Sequence, residues 1–299
     1  MKKILSLMCV SALSLSGMAH QTWTDIDYVG DGLEGHRMDI HLPDNGNEPD
    51  KVVVLIYGSA WFSNRDKQAA FEALGQSLLD AGFAVASINH RSSVEAKFPA
   101  QINDVKAAVR FLRGNAARYN LDTSFIGITG YSSGGHLSAL CGATNGVCSH
   151  TIGDVTVDIE GSLGGFTSES SDVDAVVDWF GPVDMARMEE CRTYKDANSP
   201  EAVLIGGNPA DNRDMIDLLS PLAYLDADDP KVLVIHGMAD SVVPDCQSVS
   251  FCEALRKLGL LQDFIRVENG EHGPVTFNED TFARMVEFFE TQANLKNNN

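Results

Sequence analysis

The chain is 299 residues long and strongly acidic, with a formal net charge of −20 at pH 7. An acidic surface repels phosphate backbones and anionic lipids, so nucleic acids and anionic membranes are not expected as partners. The length allows two average domains or one large α/β domain, and 44 % hydrophobic residues are enough for an extensive core. The composition does not indicate the oligomeric state.

The amino terminus has the layout of an export signal. The basic start Met1-Lys2-Lys3 precedes an apolar run over residues 4–13, and Gly17-Met18-Ala19 resembles a cleavage site. The apolar run is too short to span a bilayer, and no later segment offers about 18 consecutive apolar residues. We therefore predict a signal peptide over residues 1–19 and a secreted or periplasmic protein without membrane insertion.

Five cysteines follow the predicted signal, an odd number for an oxidising compartment: Cys141, Cys148, Cys191, Cys246 and Cys252. Cys141 and Cys148 are close enough in sequence to close a small loop, and either a bridge between them or two free thiols fits that spacing. Cys246 and Cys252 lie six residues apart on a predicted helix, where they face different directions and should not pair. Neither cysteines nor histidines have the tight spacing of a metal cluster, so we expect no metal site.

The first half of the chain alternates strand and helix patterns. Continuous apolar runs predict strands buried on both faces, and apolar residues at helical spacing predict amphipathic helices. The predicted elements are two strands within 25–42, a strand at 51–57, a helix at about 66–81, a strand at 83–88 and a helix from about 100 to 119.

The second half continues this alternation. Its predicted elements are a strand ending at 130, a helix after Ser132, a polar insertion at 144–173, strands at 175–180 and 231–235, a helix at about 246–258, a strand at 263–267 and a final helix. Residues 184–225 carry short helical stretches broken by proline and glycine, and they predict a partial cover over a site. The pattern predicts an α/β fold with a mostly parallel sheet, helices on both faces, and a single catalytic domain over residues 20–299.

The segment Gly130-Tyr131-Ser132-Ser133-Gly134 stands between an apolar run and small residues that can begin a helix. A strand, a sharp turn and a helix in this order expose a nucleophilic hydroxyl at the tip of the turn. Ser133 does not fit the pattern, because the glycine needed two residues earlier is replaced by Tyr131, whose Cβ would crowd the turn. The motif therefore predicts Ser132 as a nucleophile.

A serine nucleophile needs a base to accept its proton and a carboxylate to orient that base. Asp240 follows the predicted strand at 231–235, and His272 lies in a glycine-flanked loop after the strand at 263–267. The chain order Ser132, Asp240, His272 is the order expected of an α/β-hydrolase. We predict these three residues as the catalytic triad and keep Asp184 and Asp245 as alternatives for the acid.

Acyl transfer also needs backbone N–H groups that bind the developing oxyanion. The segment Tyr57-Gly58-Ser59-Ala60-Trp61 ends a predicted central strand, so the N–H groups of Ser59 and Ala60 are predicted donors, together with the N–H of Ser133. Trp61 and Tyr131 are predicted to bind substrate, although their positions fit packing in the core equally well. His136 and His236 are expected to be structural.

These motifs together resemble those of α/β-hydrolases of the hormone-sensitive-lipase-like carboxylesterase type and, more narrowly, of bacterial feruloyl and acetyl-xylan esterases. The matching pieces lie at Met38 to Pro43, Tyr57 to Lys67, Phe98 to Asp104, Gly130 to Leu137, Trp179 to Asp184, His236 to Pro244 and Gly270 to Gly273. The resemblance implies ester hydrolysis through an acyl-enzyme, with no metal or cofactor, on acetyl or feruloyl esters of polysaccharides.

The chain departs from this family pattern at two places. Tyr57-Gly58-Ser59-Ala60 stands where such families usually carry His-Gly-Gly-Gly or His-Gly-Gly-Ala, and Asn89-His90-Arg91 replaces the usual Tyr-Arg pair. Because oxyanion donors are backbone groups, Ser59 does not abolish the hole, but it restricts the φ angles that the loop can adopt. A serine peptidase on the same fold and a catalytically inactive binding protein stay open as alternatives.

Overall fold

The computed structural model describes residues 21–44, 46, 48–188 and 199–297, so the predicted signal peptide lies outside the described residues. The strands are β1 (Thr22–Asp27), β2 (Arg37–His41), β3 (Asp50–Ile56), β4 (Ala84–Ile88), β5 (Leu121–Tyr131), β6 (Ser149–Ile152), β7 (Val155–Asp158), β8 (Ala175–Trp179), β9 (Lys231–Gly237) and β10 (Leu261–Val267). Eight of them form one sheet in the order β1-β2-β4-β3-β5-β8-β9-β10, and β6 and β7 form a separate hairpin.

The central sheet is parallel from β4 to β10, while β2 pairs antiparallel with both β1 and β4. In β3, Val52 and Val54 pack into one hydrophobic cluster, whereas Val53 and Leu55 pack into a second cluster on the opposite face. A strand covered on both faces explains why its sequence is continuously apolar rather than alternating. The predicted α/β-hydrolase fold with a mostly parallel sheet is confirmed.

Helices cover both faces of the sheet. They are α1 (Lys67–Ala70), α2 (Gln76–Asp80), α3 (Ala100–Gly114), α4 (Ala116–Tyr119), α5 (Ser133–Ala143), α6 (Pro200–Ile205), α7 (Arg213–Leu219), α8 (Cys246–Leu258) and α9 (Glu279–Asn297). Apolar side chains of α3, α5 and α8 join the cluster that contains Val52, and those of α2 and α9 join the cluster that contains Val53. The buried faces of the helices thus sandwich the sheet between two cores.

Two predicted helices are interrupted. A π-helical turn at Phe71–Gly75 joins α1 to α2, so the helix predicted at about 66–81 is present but irregular. The helix predicted to run to about Tyr119 ends at Gly114, and Asn115 separates it from the single turn of α4. Asn120 then adopts a left-handed conformation with φ of 54°, a conformation that asparagine tolerates better than most residues.

The polar insertion at 144–173 forms the β6–β7 hairpin and a following loop. Residues of β6 contact α7, and the ring of His150 lies 4.9 Å from that of Tyr224. The loop after the hairpin is bound to α3, where the buried Arg110 side chain donates to the carbonyl oxygens of Glu160 and Leu163 at 3.1 and 3.2 Å. The insertion therefore rests on α3 and α7.

The segment predicted as a partial cover, 184–225, contains α6, α7 and 3₁₀ turns at Met185–Arg187, Pro209–Asp211 and Pro221–Ala223. Residues 189–198 of this segment lie outside the described part of the chain. The N–H of Phe98 donates to the carbonyl of Leu204 at 3.0 Å, which attaches α6 to the loop before α3. The role of this segment as a cover stays a prediction.

The structure decides between the two states left open for Cys141 and Cys148. Both are free thiols and form no bridge with each other; Cys141 is buried in α5 whereas Cys148 is exposed beyond its end. Cys252 is also free and Cys246 is disulfide-bonded, which agrees with the expectation that these two do not pair. Cys191 lies outside the described residues. Among the described residues, none of the helices combines the length and apolarity that crossing a bilayer requires.

Candidate active site

Ser132 occupies the sharp turn between β5 and α5. Its backbone has a φ of 56° and a ψ of −125°, a combination that is strained for any residue other than glycine. The Ser132 N–H donates to the carbonyl of Trp179 at 2.9 Å, and its carbonyl accepts the N–H of His136 at 3.0 Å. Bonds to β8 on one side and to the first turn of α5 on the other hold the strained turn in place.

Glycines around this turn allow close backbone contact. A Cβ on Gly134 would stand 2.2 Å from the carbonyl oxygen of Ile56, and a Cβ on Gly58 would stand 2.7 Å from the Cβ of Ser132. Both distances are shorter than real Cβ atoms tolerate, so side chains are excluded at these positions. The end of β3 and the segment that follows it can therefore lie directly against Ser132.

The predicted triad residues come together in one hydrogen-bonded row. The Ser132 Oγ lies 2.9 Å from His272 Nε2, and His272 Nδ1 lies 2.7 Å from Asp240 Oδ2. Neither contact follows from local sequence, since 140 residues separate the serine from the histidine. A neutral imidazole in this row donates from Nδ1 to the carboxylate and presents the Nε2 lone pair to the hydroxyl, which is the arrangement of a general base.

Asp240 is held as an ionised carboxylate. Its side chain is fully buried, and burial alone would raise the pKa, but the nearby His236 ring and hydrogen bonds from His272 and the Val243 N–H outweigh burial and hold the pKa well below its ordinary range. The N–H groups of Val242 and Val243 both donate to Oδ1, at 2.8 and 2.9 Å. One oxygen is thus occupied by the backbone of its own loop, and the other is directed at His272.

The two alternative acids lie elsewhere. The Asp184 carboxylate is 3.9 Å from the Arg187 guanidinium, and Asp245 forms an ion pair with Arg266. Neither makes a hydrogen bond with His272 among the described contacts. In the part of the chain that the structure describes, no three histidine, cysteine or acidic side chains form a cluster that could hold a metal ion.

Two residues next to the hydrogen-bonded row were not predicted from the sequence as its neighbours. The buried His236 ring lies between the Ser248 Oγ at 2.6 Å and the Val243 carbonyl at 2.8 Å, and its Nε2 is 3.6 Å from the Asp240 Oδ2. The Phe180 ring packs on the His272 ring with centroids 4.8 Å apart. A positive φ of 43° at Phe180, directly after β8, directs this side chain and has no distinct sequence signal.

The segment with the predicted oxyanion donors, residues 57–63 and hereafter the oxyanion loop, lies against the nucleophile turn, the turn that carries the predicted nucleophile Ser132. The Ser59 N–H donates to the Ser133 Oγ at 2.9 Å, so this predicted oxyanion donor is already engaged. The other two predicted donors differ: within the described part of the chain, the N–H groups of Ala60 and Ser133 have no hydrogen-bond acceptor. The structure thus leaves two of the three predicted backbone donors open beside Ser132.

The two aromatic residues predicted to bind substrate have different surroundings. Trp61 is 1 % exposed, and its indole donates to His136 Nδ1 at 3.2 Å, so it belongs to the core rather than to a pocket wall. Tyr131 is half-buried and packs edge-on against Phe277 with ring centroids 5.6 Å apart. The exposed apolar side chains on the loops that carry the site are instead Phe62, Met238, Val242 and Val275.

Asp178 is a buried carboxylate behind the nucleophile turn. Its Oδ1 accepts the Gly181 N–H at 2.9 Å, whereas Oδ2 has no hydrogen-bond partner among the described residues. Burial raises the pKa of Asp178 to about 6, against the opposing effects of His236 and the Gly181 N–H. The folded protein therefore holds a proton here that the unfolded chain releases between about pH 4 and pH 6.

The raised pKa of Asp178 predicts that the free energy of unfolding falls as the pH rises from about 4 to about 6. Above this range it stays lower, by on the order of 3 kcal/mol. Asp178→Asn keeps the side-chain shape and the acceptor for the Gly181 N–H but cannot ionise. We expect the variant to raise the free energy of unfolding at about pH 7.5 and to change it little at about pH 4. Urea unfolding at both pH values measures this, and an equal change at both would contradict the prediction.

Comparisons with known proteins agree with this fold. The BD-FAE family model matches residues 38–255. A solved bifunctional GH43-CE protein of Bacteroides eggerthii is 66 % identical, with a TM-score of 0.89 over 91 % of this chain and 35 % of its own. A truncated carbohydrate esterase from gut microbiota is 55 % identical, with a TM-score of 0.90 over 92 % of this chain and 96 % of its own.

Among curated proteins, the esterase LipQ of Mycobacterium tuberculosis is 29 % identical over 224 residues, which are 74 % of this chain and 49 % of that protein. The chain spans about half the length of the curated relatives it matches. The family model, in contrast, covers most of the chain and includes Ser132 and Asp240. The chain, with its α/β-hydrolase fold, belongs to the BD-FAE family.

Proposed function

We propose that this protein is a serine carboxylesterase that hydrolyses its substrate through an acyl-enzyme. The observation that carries the proposal is the hydrogen-bonded row of Ser132, His272 and Asp240, with contacts of 2.9 and 2.7 Å, at the strained turn after β5. Esterase relatives support the same reaction class. A hydroxyl, a base and a buried carboxylate in this geometry supply what acyl transfer needs.

In the first half of the reaction, the Ser132 Oγ attacks the ester carbonyl carbon while its proton passes to His272 Nε2. Asp240 stays ionised and stabilises the imidazolium that forms. The N–H groups of Ala60 and Ser133 bind the oxyanion of the tetrahedral intermediate. His272 then protonates the leaving alcohol, the carbon–oxygen bond to the alcohol breaks, and the acyl group remains on Ser132.

In the second half, water replaces the alcohol. His272 takes a proton from the water, whose oxygen attacks the acyl carbon, and the same two N–H groups bind the second oxyanion. Return of the proton to the Ser132 Oγ releases the acid and restores the enzyme. Each half uses the same base and the same donors, so one geometry serves both.

The substrate we propose is an acetyl or feruloyl ester on a polysaccharide. Two similar solved proteins are a bifunctional GH43-CE protein and a carbohydrate esterase, which supports a carbohydrate-linked ester. The exposed side chains of Phe62, Met238 and Val275 on the site loops are suited to contact with an apolar acyl group. A secreted or periplasmic location belongs to this proposal, and the disulfide at Cys246 supports an oxidising compartment.

The test is an ester series with the purified mature protein: p-nitrophenyl acetate, p-nitrophenyl butyrate, methyl ferulate and acetylated xylan, with an aminoacyl p-nitroanilide as the competing peptidase substrate. We expect turnover of acetyl or feruloyl esters and release of acetate or ferulate from the polymer. Turnover of the anilide without ester turnover would identify a peptidase instead. Failure of a fluorophosphonate probe to label the protein would favour an inactive binding protein, because labelling requires an activated serine.

A further inference from the structure

The oxyanion loop contains two consecutive residues in the left-handed backbone region. Ala60 has a φ of 51° and Trp61 a φ of 61°, and neither is a glycine. This conformation is uncommon for non-glycine residues and is unfavourable for a bulky one, so it persists only where surrounding contacts hold it. The direction of the Ala60 N–H depends on the backbone conformation of this loop. Contacts that hold Trp61, the next residue, therefore also help to fix the direction of this proposed oxyanion donor.

Trp61 is fixed at both its main chain and its side chain. Its carbonyl accepts the Ser93 N–H at 2.7 Å, and its indole Nε1–H donates to His136 Nδ1 at 3.2 Å. The two rings meet edge to face with centroids 5.2 Å apart. The side-chain contact connects the loop directly to α5, the helix that begins beside the nucleophile.

His136 is suited to this contact in only one form. Because an indole nitrogen can only donate, Nδ1 of His136 must be the unprotonated acceptor. The ring proton then sits on Nε2, which donates to the Leu219 carbonyl at 2.8 Å, at the end of α7. The ring is completely buried, and burial lowers the pKa of His136 to about 4, so this neutral form persists at neutral pH.

We propose that His136 is a positioning residue for catalysis: through Trp61 it holds the strained oxyanion loop, and the Leu219 carbonyl holds His136 in the required tautomer. The inference rests on the proposed esterase function. Since both halves of the reaction pass through an oxyanion, weakening this contact lowers kcat while leaving KM nearly unchanged. A merely structural histidine would instead affect stability without separating these two constants.

Two amide substitutions separate the two hydrogen bonds of the ring. His136→Asn places its amide oxygen near the position of Nδ1, so it keeps the acceptor for Trp61 and loses the Leu219 bond. His136→Gln places its amide group near the position of Nε2, so it keeps the Leu219 bond and loses the acceptor. Trp61→Phe removes the indole donor and leaves His136 in place.

We expect His136→Gln and Trp61→Phe each to lower kcat for p-nitrophenyl acetate by at least about tenfold, with KM within about twofold of the native value. His136→Asn should stay within about threefold of native kcat, because asparagine needs no tautomer to be selected. The double variant His136→Gln/Trp61→Phe should be no slower than Trp61→Phe, since both changes break one contact. Equal losses in the Asn and Gln variants, or losses confined to KM, would overturn the proposal.

Thermal unfolding of each variant shows whether it folds. If neither His136 variant folds, the kinetics of Trp61→Phe alone test the proposal. The labelling rate of Ser132 with a fluorophosphonate is measured in parallel, because phosphonylation also places an oxygen in the oxyanion hole. A native protein that labels but hydrolyses no ester would contradict the proposed function. The labelling rates would still test the positioning role, with the same ranking of variants expected and an unchanged rate in Trp61→Phe overturning it.

Discussion

Replacing Ser132 with alanine is expected to lower kcat/KM for p-nitrophenyl acetate by at least about 10⁴-fold. The variant lacks the hydroxyl oxygen on the strained turn that lies 2.9 Å from His272 Nε2, so no acyl-enzyme can form. The proposed oxyanion donors, the backbone N–H groups of Ala60 and Ser133, are unaffected. The remaining rate is therefore expected to come from transition-state binding and water alone. Initial rates and loss of fluorophosphonate labelling measure the effect.

The matched control is Ser124→Ala, an exposed serine on the same strand, β5. It should keep the native rate and the native labelling, because its side chain lies far along the strand from the turn. Thermal unfolding of both variants separates a chemical loss from misfolding. Retention of the native rate in Ser132→Ala would rule out the mechanism, whatever the behaviour of the control.

Replacing Asp240 with asparagine is expected to lower kcat by about 10³- to 10⁴-fold with little change in the fold. In the native protein the Asp240 carboxylate accepts a hydrogen bond from the His272 Nδ1–H at 2.7 Å. The same carboxylate stabilises the imidazolium that forms when His272 takes the Ser132 proton. An amide in its place can donate to Nδ1, which moves the ring proton to Nε2 and removes the lone pair that faces Ser132. Steady-state kinetics with p-nitrophenyl acetate at neutral pH measure the loss.

Asp245→Asn is the control for this variant, since Asp245 lies five residues further along the same region and pairs with Arg266 instead. We expect it to stay within about threefold of the native rate, as surface ion pairs contribute little. An equal loss in both variants would mean that the charge of the region, rather than the contact of Asp240 with His272, supports the base. Greater loss in Asp245→Asn would transfer the role of the acid to that residue.

Most of the fold could be predicted from sequence because it depends on local periodicity. Runs such as 52–57 are apolar throughout, since side chains alternate between two buried faces, and α8 was predicted at its observed bounds by its helical spacing. The interruptions at Phe71–Gly75 and Asn115 were missed. Such interruptions depend on how a helix packs against the sheet, and this packing produces little signal in the local sequence pattern.

The predicted triad was also partly predictable from sequence and partly dependent on the folded chain. The motif around Ser132 and the loops after two strands predicted which residues would meet, because parallel strands bring their carboxyl ends to one edge of the sheet. The sequence alone left Asp184 and Asp245 as alternatives to Asp240. The observed 2.7 Å contact between Asp240 and His272 separates them, and only the folded chain contains it.

The fold class, the sharp turn at Ser132 and the chain order of the predicted triad could be predicted from sequence, because each rests on periodicity or on residue types at fixed spacing. The folded chain was needed to show that Cys141 and Cys148 do not pair, that the Ser59 N–H donates to the Ser133 Oγ, and that Trp61 is buried against His136. Each of these depends on how side chains and backbone segments are oriented and packed in the folded chain. Such distances and orientations arise from packing, which the spacing of residues in the sequence does not encode.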